Sequence, residues 1–284
     1  HASIFLTSAQ IRAALIPQTV IVIGRTTLSR SINTFLKLAP TQIVIDPRMA
    51  TVDSDRHADK RFTQIPELNT KTASPEWSEQ WKKYADRAAK SIDALTGFSE
   101  AVIAREVAAN LPEGSTLFVS SSRPIRDLEG FGAPRSGVRT YANRGLAGID
   151  GNISTALGIA SASKQTFAVL GDLSFLHDLT GLIHREDIDC CFIVINNDGG
   201  GIFSTLPQRG VDGFESVFGT PHGLDPAAIA NAMGISASTI SSIDELKKVL
   251  KSPVKGISVV VANVASRDEN ADSLKAIYES MNSI

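Results

Sequence analysis

Two short segments, Phe167-Ala-Val-Leu-Gly-Asp and Phe192-Ile-Val-Ile-Asn-Asn, are apolar at every position until each ends in a polar pair, Gly171-Asp172 and Asn196-Asn197. Side chains on a strand alternate between faces, so a run with no polar position has no face for water. Such strands belong in the middle of a parallel sheet covered by helices on both sides. The rest of the chain agrees, because short β-branched runs alternate with helical patterns throughout. The expected fold is α/β.

Six candidate strands, at residues 116–121, 139–142, 166–170, 191–196, 236–241 and 258–264, make a six-stranded parallel sheet with helices on both faces. A helix over residues 99–110 precedes it. Before that block lie candidate strands at 19–24 and 42–46, a helix near 28–38 and a polar stretch at 47–67, which read as part of a second α/β domain. Ser74 is a plausible N-cap with Pro75 at the first helical position of a long charged helix. The expected division is a partial domain over 1–73, a bridging helix and linker over 74–96, and the main sheet domain over 97–284. No repeat of fixed period appears.

Composition excludes several function classes. A formal net charge of −2 with interspersed signs gives no basic stripe for a phosphate backbone, so nucleic acid is not an expected partner. The longest apolar stretches fall far short of the roughly 18 residues that span a bilayer, so no membrane is expected either. Cys190 and Cys191 are adjacent, point to opposite faces of a strand, and read as core fillers in a reducing compartment, which suits a cytoplasmic protein. The chain opens on His1-Ala2, without an initiating Met or the features of a signal peptide, which suggests a chain cut from a longer one.

The strand tips carry the chemistry. Open parallel sheets bind ligands at the carboxyl ends of their strands, and both polar pairs fall on that edge. Gly171 allows a sharp turn, and a helix starting near Ser174 would aim unpaired N–H groups at the same place. A carboxylate, an amide oxygen and a glycine-loop carbonyl are hard oxygen ligands suited to Mg²⁺ with phosphate oxygens. The implied ligand is a metal-bound diphosphate.

Gly171-Asp172 followed, after residues 173–195, by Asn196-Asn197 resembles the thiamine-diphosphate fingerprint. Its third position, commonly Gly, is Leu173 here. Together with Gly-Asp-Leu-Ser-Phe-Leu-His-Asp-Leu, Asn-Asn-Asp-Gly-Gly-Gly-Ile-Phe-Ser, Phe-Gly-Thr-Pro-His-Gly-Leu-Asp and Asn-Arg-Gly-Leu-Ala-Gly-Ile-Asp-Gly, the pattern is similar to the carboxyl-terminal part of the 2-succinyl-5-enolpyruvyl-6-hydroxy-3-cyclohexene-1-carboxylate synthases of menaquinone biosynthesis. The likeness is strong over the second block and loose over the first.

That resemblance implies a transferase that uses thiamine diphosphate and Mg²⁺ or Mn²⁺ to decarboxylate 2-oxoglutarate and add the remaining unit to isochorismate, working as a homo-oligomer. Asp172 and Asn197 match the side-chain metal ligands and Gly199 the carbonyl ligand. Gly171, Leu173 and Ser174 match diphosphate contacts. Ile149 matches the aliphatic support of the cofactor, and Ile202, Phe203 and Leu206 the apolar wall beside the reacting carbon. Ser122, Arg126 and Arg144 match substrate contacts, a task for which the planar guanidinium fork is suited. The family's activating glutamate belongs to an amino-terminal domain, so no catalytic residue is assigned in this chain, and on its own it is expected to be inactive.

Plainer readings stand beside these. A lone Gly-Asp after a strand is usually a turn, Asn-Asn-Asp-Gly can be an ordinary loop, and Arg126 and Arg144 could be surface ion pairs. Ile149, Ile202, Phe203 and Leu206 could be core residues. His177 and His184, two turns apart with Glu186 and Asp187 behind, lack zinc-site spacing. Gly24 to Arg30 lacks the further glycines of a dinucleotide fingerprint, which weakens a nicotinamide oxidoreductase, and Arg30 could still contact an anion. The rival functions are another thiamine-diphosphate decarboxylase or carboligase and a catalytically inactive cofactor-binding fragment.

Overall fold

A computed structural model describes residues 1–26, 28–48, 57–67, 74–183 and 187–282. The chain divides into two units, one made of His1–Ala94 with Ala276–Ile284 and the other of Leu95–Lys275.

The first unit contains α1 (Ala2–Phe5), α2 (Ala9–Leu15), β1 (Thr19–Ile23), α3 (Arg30–Leu36), β2 (Thr41–Ile45), β3 (Lys60–Phe62) and α4 (Pro75–Asp93). Its three strands are parallel in the order β1-β2-β3. The third lies inside the stretch read from sequence as a polar connection, and its pattern of Lys, Arg and Phe carries no apolar alternation. It forms because Asp59 ties it to β2, its N–H bonding to the Gln42 carbonyl at 2.9 Å and its Oδ2 accepting from the Gln42 N–H at 2.7 Å. In α4 the Ser74 hydroxyl accepts from the Trp77 N–H at 3.3 Å, with Pro75 opening the helix as its sequence suggests. Trp81 of that helix packs edge-on against Phe5 and Phe35, and Trp77 donates its ring N–H to the Leu15 carbonyl at 3.1 Å. The buried Asp46 carboxylate grips Arg48 through both oxygens, and this hydrogen bonding to the guanidinium lowers its pKa to about 2.

The second unit holds α5 (Glu100–Asn110), β4 (Thr116–Val119), α6 (Arg123–Phe131), β5 (Arg139–Tyr141), α7 (Asn152–Ala160), β6 (Thr166–Gly171), α8 (Asp172–His177), β7 (Cys190–Asn196), α9 (Pro226–Ala232), β8 (Ser236–Ile240), α10 (Ile243–Lys251), β9 (Ile257–Asn263) and most of α11 (Arg267–Ser280). All six strands are parallel, in the order β5-β4-β6-β7-β9-β8. This is the six-stranded α/β sheet that the sequence predicts.

Strict alternation fills both faces. On one, Ala168, Leu170, Cys190, Phe192 and Val194 join Phe118, Ile153 and Phe175. On the other, Phe167, Val169, Cys191, Ile193 and Ile195 join Ile103, Val107 and Leu246. Each large apolar side chain fully buried this way contributes roughly 1.5–3 kcal/mol, which fixes register, because a one-residue slip would exchange the two sets between faces that differ in shape. Burial raises the Cys191 thiol to about 11 and pushes Cys190 further up, so neither is a nucleophile. No described helix is long and apolar enough to cross a membrane.

Candidate functional site

From β4 the chain moves outward to β5, then returns to lay β6 on the other side of β4. Connections on the two sides therefore diverge at the carboxyl ends of β4 and β6, which is where an open parallel sheet leaves a crevice. A cavity of about 180 Å³ lies there, lined by Ser121 and Ser122 after β4, Gly171 to Ser174 after β6, and Asn197 and Gly199 to Phe203 after β7. The strand edge named from sequence thus forms one wall of a real cavity.

Asp172 begins α8 and is 2% exposed. Its Oδ1 accepts the Leu173 N–H at 2.7 Å and its Oδ2 accepts the Gly199 N–H at 2.8 Å. The His222 ring adds a third contact, Nε2 to Oδ2 at 3.3 Å. Because the Leu224 N–H donates to His222 Nδ1 at 3.0 Å, a neutral ring carries its proton on Nε2 and donates to Asp172. Burial raises the Asp172 pKa, while the two backbone N–H groups and the histidine oppose the shift. A buried carboxylate on which burial prevails over its hydrogen bonds would be stabilised by a nearby cation.

Asn197 supplies the complementary feature. Its Nδ2 donates to Glu100 Oε1, whereas its Oδ1 is buried and has no hydrogen-bond partner. An unsatisfied buried acceptor costs about 1–3 kcal/mol, so a ligand that takes its lone pair recovers that energy. The Gly199 carbonyl accepts the Gly201 N–H at 3.0 Å and keeps its second lone pair. Carboxylate, amide oxygen and carbonyl form a donor set that fits a hard divalent cation. Among the described residues no three His, Cys, Asp or Glu side chains cluster as a metal site on their own.

The loop after β7 is shaped by its glycines. Gly199 has φ +132°, and a Cβ there would lie 2.2 Å from the Gly219 carbonyl oxygen. The Gly200 N–H bonds to that same oxygen at 2.7 Å, locking the loop against the π-helical turn Glu215–Gly219. Ser122, at the start of α6, also has positive φ, +74°, an uncommon strain for a residue with a side chain.

Beneath this rim sits a charged group that the sequence did not single out. Glu100, at the first position of α5, and Asp127, on α6, are 4% and 1% exposed. Arg123 lies between them, its Nε 3.3 Å from Glu100 Oε2 and its NH2 nitrogen in contact with Asp127 Oδ1. Burial raises the Asp127 carboxyl despite the attraction of Arg123. All three line the cavity. Their separation along the chain from residues 172 and 197 hides them, since only β4, β6 and β7 lying side by side bring them together. His222 belongs to the Phe-Gly-Thr-Pro-His-Gly-Leu-Asp segment, yet nothing in its spacing shows that it reaches Asp172.

Of the residues named from sequence, Ser122, Ile149, Gly171, Asp172, Leu173, Ser174, Asn197, Gly199, Ile202 and Phe203 line this one cavity. Arg126, Arg144 and Leu206 are not in its lining; the two arginines are exposed, with Arg126 NH1 held on the Ser122 carbonyl at 2.6 Å. The Leu173 N–H is engaged by Asp172, and the Ser174 hydroxyl donates to the Ile149 carbonyl at 3.1 Å, bracing the loop that carries Ile149. Arg30 is exposed at the start of α3 in the first unit. His177 ends α8, while His184 and Glu186 lie outside the described residues.

Residues 131–264 match the family described as thiamine pyrophosphate enzyme, C-terminal TPP binding domain. A 2-succinyl-5-enolpyruvyl-6-hydroxy-3-cyclohexene-1-carboxylate synthase from Thermobifida fusca is 40% identical over 250 residues, covering 84% of this chain and 45% of the relative. The protein of the same name from Bacillus cytotoxicus is 33% identical over 293 residues, covering 96% and 50%. The chain spans about half the length of the curated relatives it matches. Among solved structures, benzoylformate decarboxylase from Polynucleobacter necessarius superposes with a TM-score of 0.58 at 16% identity, covering 87% of this chain and 49% of that one, a likeness of fold alone.

Proposed function

We propose, for a chain whose residues 131–264 match the C-terminal TPP binding domain of thiamine pyrophosphate enzymes, that the cavity at the ends of β4, β6 and β7 binds thiamine diphosphate through a divalent cation. The observation that carries this reading is the buried, unpartnered Oδ1 of Asn197 in the same cavity as the buried carboxylate of Asp172. Asp172, Asn197 and the Gly199 carbonyl would hold Mg²⁺ or Mn²⁺, leaving the remaining positions to diphosphate oxygens and water. When bound, thiamine diphosphate supplies the carbon nucleophile and electron sink for decarboxylating a 2-oxo acid and transferring the remainder.

The chain's own residues take the other tasks. Ile149, Ile202 and Phe203 present apolar surface to the cavity and would keep water from the reacting carbon. Ser122, Arg126 and Arg144 would receive substrate carboxylates at the outer rim, where Arg126 is already steadied by the Ser122 carbonyl. Likeness to the two synthases supports a protein that uses 2-oxoglutarate and isochorismate. A second reading, a decarboxylase or carboligase of another 2-oxo acid, would need the same cation site and not the arginine pair.

The cation site is tested by titrating the chain with Mn²⁺ in the presence of thiamine diphosphate. The unsubstituted chain is expected to bind, and Asp172→Ala to lose binding by a hundredfold or more, on the order of 3 kcal/mol, because it removes the one formal charge among the ligands. Unchanged affinity in Asp172→Ala refutes the assignment.

A further inference from the structure

We propose that Glu100 is a positioning residue for the cation, holding the Asn197 amide so that its oxygen, and not its nitrogen, is offered to the cavity. The proposal rests on Asp172 and Asn197 binding that cation. An asparagine amide is nearly symmetric in shape, and nothing in its own sterics decides which end faces a ligand. Turned over, Asn197 would offer two N–H donors where a cation needs a lone pair.

The deciding contact is the one from Asn197 Nδ2 to Glu100 Oε1. A carboxylate accepts and does not donate, so only the amide nitrogen can face it. Glu100 is itself fixed by two further contacts. Its Oε2 accepts from Arg123 Nε at 3.3 Å, its backbone N–H donates to Asn270 Oδ1 at 3.0 Å, and Asn270 is clamped by its Nδ2 to the Ala265 carbonyl at 2.7 Å. The result on the far side of the amide is the buried Oδ1 without a partner.

Gly201 supplies an independent sign that this pair is built in. A Cβ at Gly201 would lie 2.4 Å from Asn197 Nδ2 and 3.3 Å from Glu100 Oε1. The chain is left bare at the point where the glutamate and the amide meet, although φ at Gly201 is not positive and conformation alone does not call for glycine there.

Glu100→Gln keeps the size of the side chain and reverses the logic. Arg123, a charged donor, claims the single remaining oxygen, and the new amide nitrogen then faces Asn197. Two donors cannot meet, so the Asn197 amide turns over and presents N–H groups to the cation. Groups that orient metal ligands typically change affinity by roughly 10- to 100-fold when replaced, and Mn²⁺ binding by the full chain with thiamine diphosphate should weaken by about that factor.

Asn197→Asp supplies the control that a merely structural role would not satisfy. With a carboxylate at 197 both ends are equivalent, and it faces the Glu100 carboxylate unfavourably, so Asn197→Asp alone should bind poorly. Combined with Glu100→Gln, whose amide now donates to a carboxylate, binding should recover most of the loss. Gly201→Ala approaches the pair from the other side and should weaken binding in the same direction, without altering the charges around Arg123.

The measurement is free Mn²⁺ by electron paramagnetic resonance, with a thermal melt of each variant. Weakened Glu100→Gln and Gly201→Ala, with recovery in the double variant, support the assignment. If Asp172→Ala loses Mn²⁺ while Glu100→Gln binds as tightly as the unsubstituted chain, Glu100 does not position Asn197. A double variant as weak as Glu100→Gln overturns the orientation argument too. If the unsubstituted chain binds no Mn²⁺, the cation site itself fails and the proposal falls with it.

Discussion

Replacing Gly199 by Ala tests whether the loop after β7 is as tightly specified as its geometry indicates. The backbone at φ +132° is outside the regions open to a side chain, a strain of about 1–3 kcal/mol if retained. The added Cβ would also lie 2.2 Å from the Gly219 carbonyl oxygen and 3.0 Å from that of Thr220. The first distance is about an ångström inside van der Waals contact, and both atoms are backbone, so no flexible side chain can swing away. Relief requires parting the loop from the π-helical turn. That breaks the Gly200 N–H bond to Gly219, at about 0.5–1.5 kcal/mol, and the Gly199 N–H bond to the Asp172 carboxylate, at about 1.5–3 kcal/mol. The two lost bonds together cost about 2–4.5 kcal/mol, a large part of the roughly 5–15 kcal/mol that holds a domain together. Urea unfolding followed by far-ultraviolet circular dichroism is the right assay, because both tryptophans, Trp77 and Trp81, lie in the first unit and their fluorescence reports there. A loss below about 1 kcal/mol, with Mn²⁺ binding intact, would refute the reasoning.

Three further outcomes are expected. Arg126→Ala and Arg144→Ala, made in a protein that turns over 2-oxoglutarate, should lower kcat/KM by about tenfold or more while thiamine diphosphate affinity stays within about twofold; an equal fall in both would place these side chains at the diphosphate or in the fold. Gly158→Ala should stabilise the chain by about 0.5–1 kcal/mol, since Gly158 is an exposed position of α7 where an added methyl would meet nothing within 4 Å, and a lower unfolding midpoint would contradict that. The Asp46 carboxyl, held by its hydrogen bonds to Arg48 at about 2 against an ordinary 3.8, contributes stability that is complete above about pH 5 and lost as pH falls through its folded value; Asp46→Asn should flatten the melting profile between about pH 5 and pH 2, and an unchanged slope would show the pair to be inert.

The sheet was legible because its information is local. Phe167 to Leu170 and Phe192 to Ile195 state by themselves that both faces are covered, whereas the order of the six strands came only from the structure. The tips of β6 and β7 were legible for the same reason, as Asp172 and Asn197 follow directly on those runs. Lys60–Phe62 was not, because a short strand of two basic residues and one Phe owes its place to Asp59 and Gln42 on a neighbouring strand. Glu100 and Arg123 were not either. A charged residue in the first turn of a helix is ordinarily solvated, and only the convergence of α5 and α6 beside β7 makes Glu100 a buried partner of Asn197 and Arg123 a partner of Glu100. The likeness to known synthases named roles residue by residue, and roles that no motif carries stayed hidden until the contacts were visible.

Cys190 and Cys191 share a peptide bond and yet inhabit different hydrophobic clusters, one on each side of β7. They are the chain's only cysteines and both are buried, so a thiol reagent can modify them only through an opening of the structure. Labelling Cys191→Ser and Cys190→Ser separately therefore turns each remaining thiol into a clock for one layer of the sandwich. If the helices on the two sides detach independently, the two clocks run at different rates; if the sheet yields as a single cooperative body, they keep the same time.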